Sequence, residues 1–346
     1  MISVIVTAYN RKRFLPYALS SIIKQTLNSS EYEVIVVKNF VDETSDAIIR
    51  RHGFREILCE NPNQGIHYAL ALKECKGDII CPLDDDDIFH PKKLEQIKWF
   101  FSNIKGLGYV RNSISTFNGH EPMIDATPRN DNFKDVLIRN IRSSNVSQTL
   151  LFPFNSSSIA IKKDVLTEYY DFLSKIETTI DIFMFYAAYM ADCSVLFTSK
   201  ILTYYRIHES NTSQQYDTNQ SDFLAKRLGL YRHRVNDWKI IKELCHNTRW
   251  EYEADRTILE HELAVDLLEG KSRKNITRSL YRYMLKEFIG IGVDRAQAVY
   301  HLKKFIEPSS WVYRGALGLV APKKIGGIIF RRAWNTIQKN QVAVKK

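Results

Sequence analysis

Short apolar runs separated by amphipathic stretches open the chain. Ile2-Ser-Val-Ile-Val-Thr7 is rich in β-branched residues and too short for a helix, so it predicts a strand. Leu15, Leu19, Ile22 and Ile23 share one face of a helix predicted from Phe14 to Thr26. Glu33–Val37 predicts a second strand, and Asp42 or Thr44 is placed to cap a helix over Ser45–His52. Ile57–Cys59 predicts a third strand, Asn61-Pro-Asn-Gln-Gly65 a turn, and Ile66–Cys75 a helix that stops at Lys76-Gly77. Asp78-Ile-Ile-Cys-Pro-Leu83 then predicts a fourth, buried strand. Regular alternation of strand and helix argues for a mostly parallel, doubly wound sheet.

Past Asp87 the pattern loosens. His90-Pro91 opens a helix predicted over Lys92–Phe101. Residues 109–160 give no clear order, except that Asn155-Ser156-Ser157-Ser158 reads as a polar loop entering a strand. Thr178-Thr179-Ile180-Asp181 precedes a helical run over Ile182–Met190, and Val195–Phe197 and Ile201–Tyr205 read as two strands. From Ser221 the periodicity is helical, with stripes at Leu224, Leu228, Tyr231, Val235 and at Ile276, Leu280, Met284, Phe288. Asp294 is placed to cap a further helix carrying Val299, Leu302 and Ile306. The expected organisation is an α/β domain over 1–215, a helical extension over 216–306 and a basic amphipathic tail over 307–346.

Charge changes this picture at one end only. The net charge is +10, and from Lys303 onward ten Lys or Arg face one acid, Glu307, so the rest of the chain is close to neutral. In that tail the cations are interleaved with Trp311, Tyr313, Ile328, Phe330 and Trp334, the composition of a segment lying in a membrane interface. The alternative is a packed helix pair with a solvated basic face. No nucleic-acid motif accompanies the cations, so a nucleic-acid partner is not expected. No apolar run reaches the roughly 18–20 residues of a spanning helix, and Met1 leads into a strand without a signal-peptide pattern. The five cysteines are scattered and show no metal spacing, which suggests reduced thiols. The expected location is cytoplasmic, peripheral on the membrane face.

The most informative stretch is Asp84-Asp85-Asp86-Asp87, directly after the fourth strand. The carboxyl ends of strands in open α/β sheets are where ligands bind. Like charges so close need a cation, and a hard divalent ion takes carboxylate oxygens while leaving positions for phosphates. A solvated acidic turn is the plain alternative.

Four pieces in order resemble family-2 glycosyltransferases of the GT-A fold, over about the first 215 residues. They are Val4-Ile-Val-Thr-Ala-Tyr-Asn-Arg11; Asn63-Gln-Gly65 with Lys76-Gly-Asp-Ile-Ile-Cys-Pro-Leu-Asp-Asp-Asp-Asp87; Ile180-Asp181-Ile-Phe; and Leu202-Thr-Tyr-Tyr-Arg-Ile-His208. The resemblance implies an α/β, Rossmann-like, mostly parallel mixed sheet with a C-terminal helical extension. It implies a metal-dependent inverting transfer from a nucleoside-diphosphate sugar, a UDP-sugar foremost, to a hydroxyl acceptor, for which the basic tail suggests a lipid-linked glycan or polysaccharide precursor. Mn²⁺ or Mg²⁺ would be the cofactor. Asp181 would be the general base, although a residue before a helix can also be only an N-cap. Asp86 and His208 would be metal contacts, and Asp87 would support the metal or the acceptor. Thr7, Tyr9, Arg11, Asn39, Asp84, Asp85 and Arg206 would serve the donor, with Arg206 either facing its phosphates or buttressing the loop. The chain departs from the family after its second strand, where Lys38 and Asn39 stand in place of a base-reading carboxylate. Lys38 has no acceptor, whereas Asn39 can read a uracil-like edge. Ala71 stands where the family often has Asn. These departures keep two alternatives open: a nucleotidyltransferase on a similar sheet and a non-catalytic sugar-nucleotide or membrane-binding protein.

Overall fold

A computed structural model describes residues 1–139, 141, 155–208, 220–293 and 316, with 220–223 and 287–293 described in backbone only. The chain divides into two compact units, Met1–Asn211 and Thr212–Lys346.

In the first unit the strands and helices run β1 (Ile2–Ala8), α1 (Leu15–Ile23), β2 (Tyr32–Lys38), α2 (Glu43–Arg51), β3 (Arg55–Leu58), α3 (Gln64–Glu74), β4 (Ile79–Asp84), β5 (Ile88–Phe89), α4 (Lys93–Asn103), β6 (Leu107–Phe117), β7 (Val136–Ile138), β8 (Ile159–Lys162), α5 (Lys163–Glu168), α6 (Tyr170–Leu173), α7 (Ile180–Met190) and β9 (Ser194–Arg206). Among the described residues they build one sheet in the order β3-β2-β1-β4-β8-β6-β9-β5, with β7 paired to β9. The β1–β4 half is parallel, β8 runs antiparallel to both β4 and β6, and β6 pairs β9 in parallel. Every residue of β1 is buried, as expected of a strand covered on both faces. Val4, Val6, Val36 and Leu83 pack with Leu15, Leu19 and Ile22 of α1 and Leu94, Ile97 and Phe100 of α4 in one core.

Local chemistry explains most element ends. Asp42, not Thr44, caps α2, its carboxylate accepting from the Ser45 amide at 2.9 Å. Cys75 ends α3 in an extended conformation, so Gly77 is not the helix stop expected of it. A Cβ at Gly77 would lie 2.7 Å from the Ser3 amide, so glycine is needed there for the close approach of β4 to β1. The segment read as two strands, Val195–Phe197 and Ile201–Tyr205, is one long strand, β9, that follows β6 through register shifts. The stretch from 109 that gave no pattern contains most of β6, whose first seven residues are buried. Burial on both faces removes the alternation that marks a strand. Cys81 lies in the core, and all five cysteines are free.

In the second unit α8 (Gln220–Leu244), α9 (Arg249–Leu268) and α10 (Arg273–Val293) follow one another. Tyr231, Leu263, Ala264, Ile276, Leu280 and Tyr283 form its core with Ala316. The helix expected after Asp294 and the tail over 307–346 lie outside the described residues apart from Ala316. No helix of the described residues is long and apolar enough to cross a membrane.

Candidate active site

Strand register assembles one edge of the sheet. Thr7 is the partner of Asp84 across β1 and β4, and Ala8 is the partner of Lys38 across β1 and β2. The exits of β1, β2 and β4 therefore lie side by side at the carboxyl end, the position expected of a ligand site. Antiparallel pairing of β5 with β9 places Phe89 opposite Thr203 and Ile88 opposite Tyr204. That pairing brings Arg206 and His208 onto the acid turn from far along the chain.

Each aspartate meets a different partner. Asp84 accepts from Ser156 Oγ at 2.5 Å, and its amide donates to Ser157 Oγ at 3.0 Å. Asp85 is held by Arg11, whose Nε donates to Oδ2 at 3.2 Å while Nη2 pairs with Oδ1. Asp86 Oδ2 meets Arg11 Nη1 at 2.7 Å and His208 Nε2 at 3.0 Å. Asp87 accepts from Asn155 Nδ2 at 3.0 Å and from the Arg206 amide at 3.2 Å. Burial, with the charge of Asp86 added, pushes the Asp84 carboxyl up to about 6. Burial raises Asp85 to about 8 against the pull of Arg11. Asp87 is driven well above the usual range by burial and then by Asp86 and Asp84. Burial also opposes ionisation of Asp86, but the His208 hydrogen bond and the Arg11 charge outweigh it and hold that carboxyl low.

Asp84, Asp86 and Asp87 each offer an oxygen within 4.8 Å of the others. Three convergent carboxylates, two of them resisting ionisation because they are buried and close to other carboxylates, fit a hard divalent cation, whose charge would oppose those upward shifts. His208 touches Asp86 and lies beside the set, its ring centre 4.6 Å from that of Phe14.

Of the two roles open to Arg206, its geometry fits the buttress. The side chain is buried, Nε donates to the Asp86 carbonyl at 2.8 Å, and Nη1 donates to the carbonyls of Gly119 and of His120, the latter at 3.0 Å. Its guanidinium lies 4.5 Å from the centre of the Phe14 ring and 4.6 Å from that of Phe117. Tyr9 donates to the Glu60 carbonyl at 3.3 Å and faces the His67 ring. Asn39 and Asn10 form a reciprocal pair: the Asn10 amide donates to Asn39 Oδ1 and Asn39 Nδ2 to Asn10 Oδ1, both at 2.8 Å. Asn10 sits at φ 58°, a conformation Asn tolerates better than most residues. Lys38, a concern in the sequence, does not face this edge as a free cation. It is fully buried between Asp46 at 2.9 Å and Glu56 at 2.8 Å and also donates to the Phe40 carbonyl at 2.6 Å.

Asp181 lies in the first turn of α7 rather than before it, and the N-cap is Thr179. A carboxylate there is favoured by the positive end of the helix dipole. Its charge adds a small upward push to Asp84 and is felt by Tyr68, Tyr109 and Arg111, so it lies within electrostatic range of the acid turn. The α3 start fixes this approach, since the Gln64 and Gly65 amides donate to the carbonyls of Glu177 and Ile176 at 3.1 and 2.9 Å. Several contributors were not singled out in the sequence: Asn155, Ser156 and Ser157 on the acids, Lys93 beneath them, and Tyr68 and Arg111 near Asp181. The one available signal was four consecutive polar residues, Asn155 to Ser158, running into a buried strand.

Comparisons with known proteins agree with this geometry. Residues 3–150 match the family model described as Glycosyl transferase family 2. A glycosyltransferase of Nostoc sp. is 25% identical over 252 residues, covering 69% of this chain and 76% of that protein. The poly(ribitol-phosphate) beta-N-acetylglucosaminyltransferase TarP of Staphylococcus aureus is 29% identical over 102 residues, 28% of this chain and 31% of TarP. The crystal structure of S. aureus TarS 1–349 in complex with UDP-GlcNAc matches with a TM-score of 0.53 at 16% identity, covering 99% of this chain and 91% of that one. The first 150 residues thus resemble family-2 glycosyltransferases, and the chain has the GT-A fold of the TarS structure.

Proposed function

We propose that the protein is a metal-dependent, inverting transferase that moves a sugar from a UDP-sugar to a hydroxyl acceptor carried on a lipid. The observation that carries this reading is the convergence of Asp84, Asp86 and Asp87 oxygens within 4.8 Å of one another at the carboxyl end of β4, with Asp181 in the first turn of α7 as the separate carboxylate. UDP is the nucleotide of the TarS complexes, which share the fold.

Asp84, Asp86 and Asp87 would hold Mn²⁺ or Mg²⁺, with His208 against Asp86. When bound, such an ion neutralises the charge that develops on a departing diphosphate. The chain's own residues do the rest. Thr7, Tyr9, Arg11 and Asn39 line the carboxyl edge where the nucleotide would lie, and Arg206 fixes the acid turn from beneath. Asp181 accepts the proton of the acceptor hydroxyl as its oxygen bonds to the anomeric carbon. The bond from that carbon to the diphosphate oxygen breaks, and the electron pair leaves with the nucleotide. Because base and leaving group lie on opposite sides of the sugar, the anomeric configuration inverts.

The site thus supports transfer rather than binding alone. Lys38 is taken up by Asp46 and Glu56, which leaves Asn39 as the residue after β2 that would read the base. Asp181→Asn is expected to lower turnover of UDP-GlcNAc, the first donor to try, by about 10²–10⁴-fold while UDP still binds. Asp86→Ala is expected to remove Mn²⁺-dependent UDP binding as well. Calorimetry and a sugar-transfer assay separate the two, and full turnover in both variants would end this reading.

A further inference from the structure

We propose that Lys93 is a positioning residue for the cation site and acts on it through Ser157. The inference rests on the metal-dependent reading above. Lys93 opens α4 and is fully buried, with no ion pair among the described residues. Its ammonium donates to the Ser157 carbonyl and to Thr203 Oγ1 at 2.9 Å, and lies 4.0 Å from the centre of the Phe89 ring. Thr203 Oγ1 also donates to the Ser157 carbonyl, at 2.9 Å, and accepts from Asn112 Nδ2 at 3.0 Å. Two donors from different elements thus clamp one carbonyl oxygen.

The other end of Ser157 faces the acids. Its hydroxyl accepts from the Asp84 amide at 3.0 Å, and its neighbours in the same turn, Ser156 and Asn155, donate to the Asp84 and Asp87 carboxylates at 2.5 and 3.0 Å. A shift of this turn would therefore move two of the three carboxylates that converge on the cation site. Burying an ammonium without a counter-charge is costly, and burial pulls Lys93 down to about 7. An apolar side chain would fill the same space without that cost. What it could not supply is a donor to two oxygens at once.

The test is titration of Mn²⁺ into the full chain with UDP present, alongside the thermal midpoint of each variant. Lys93→Met is expected to weaken Mn²⁺ by about 10–100-fold, the range seen when groups behind metal ligands are removed. Thr203→Val, which keeps the shape and loses the clamp hydroxyl, should weaken it in the same direction by a smaller factor. Glu33→Gln serves as the stability control. Glu33 ties Ser3, Lys76 and Gly77 at the opposite end of β1 and β4, so this variant should lower the midpoint and leave Mn²⁺ affinity unchanged. Asp86→Ala tests the underlying reading. If it loses Mn²⁺ while Lys93→Met and Thr203→Val bind as the wild type does, the role of Lys93 is overturned and the metal site stands. If Asp86→Ala keeps Mn²⁺, or the wild type binds none, both fall. Should Lys93→Met not fold, Thr203→Val decides: wild-type affinity overturns the proposal.

Discussion

Four consecutive aspartates do not titrate alike: burial raises Asp84, Asp85 and Asp87, and only Asp86 is held low. Asp86 is held ionised by His208 and Arg11, whereas Asp87, with an amide and a backbone N–H as its partners, is pushed toward the neutral form. The acid run and its place after a strand were legible from composition alone. Its partners were not, because Asn155, Arg206 and His208 reach it through pairing of distant segments. Lys38 shows the same limit. The sequence showed only that it lacks an acceptor where a base-reading carboxylate is expected, and only the fold reveals Asp46 and Glu56 around it. Lys38→Met would leave Asp46 buried without its cation. It is expected to cost about 3 kcal/mol in denaturant unfolding, the low end of the range for breaking a buried pair, because Glu56 stays 30% exposed. UDP affinity of the folded variant should match the wild type, and a large loss would return Lys38 to the donor site.

At the scale of elements, Gly65 couples one helix to the approach of another. A Cβ on Gly65 would fall inside van der Waals contact of the backbone carbonyls of Leu173 and Ile176, which lead into α7 and Asp181. Gly65→Ala is therefore expected to cost about 3 kcal/mol, the upper range for overpacking. It should lower kcat more than it lowers UDP affinity, since the base moves and the nucleotide edge does not. Equal losses in both would place the strain elsewhere. In α9, His261 is half-buried, and desolvation together with Arg234 lowers it to about 4. The unfolded chain takes up this proton near its ordinary value of 6.5, so the stabilisation is complete above that pH. It is lost as pH falls from 6.5 toward 4, by about 1.4 kcal/mol per unit. Between pH 7 and 5, wild type should lose about 2 kcal/mol more than His261→Phe in denaturant melts. Parallel losses would exclude a neutral imidazole. The amphipathic stripes of α8 and α10 were readable because one face of each helix is polar. The long strand β6 was not, since burial on both faces hides its period, and β9 was read as two shorter strands.

For the molecule as a whole, charge is concentrated where the described structure ends. Ten Lys or Arg against one acid from Lys303 onward, interleaved with Trp and Phe, support attraction to anionic headgroups of about 1 kcal/mol per cation near the surface. The full chain is expected to sediment with phosphatidylglycerol vesicles and not with phosphatidylcholine vesicles, and high salt should release it. Equal binding to both lipids, or none to either, would remove the membrane reading and with it the case for a lipid-borne acceptor.

Sequence alone determined what local physics determines. Apolar runs marked the parallel strands, periodicity marked the helices, and four adjacent carboxylates at a strand end marked where a cation belongs. Tertiary structure decided which groups serve that cation. Pairing of β5 with β9 delivers His208 and Arg206, the turn at 155–158 seats Asp84 and Asp87, and Gly65 sets the approach of Asp181. These contacts join residues roughly 70 to 120 positions apart, and no local pattern records which distant segment will pair with which, because pairing is chosen by burial and hydrogen bonding over the whole sheet.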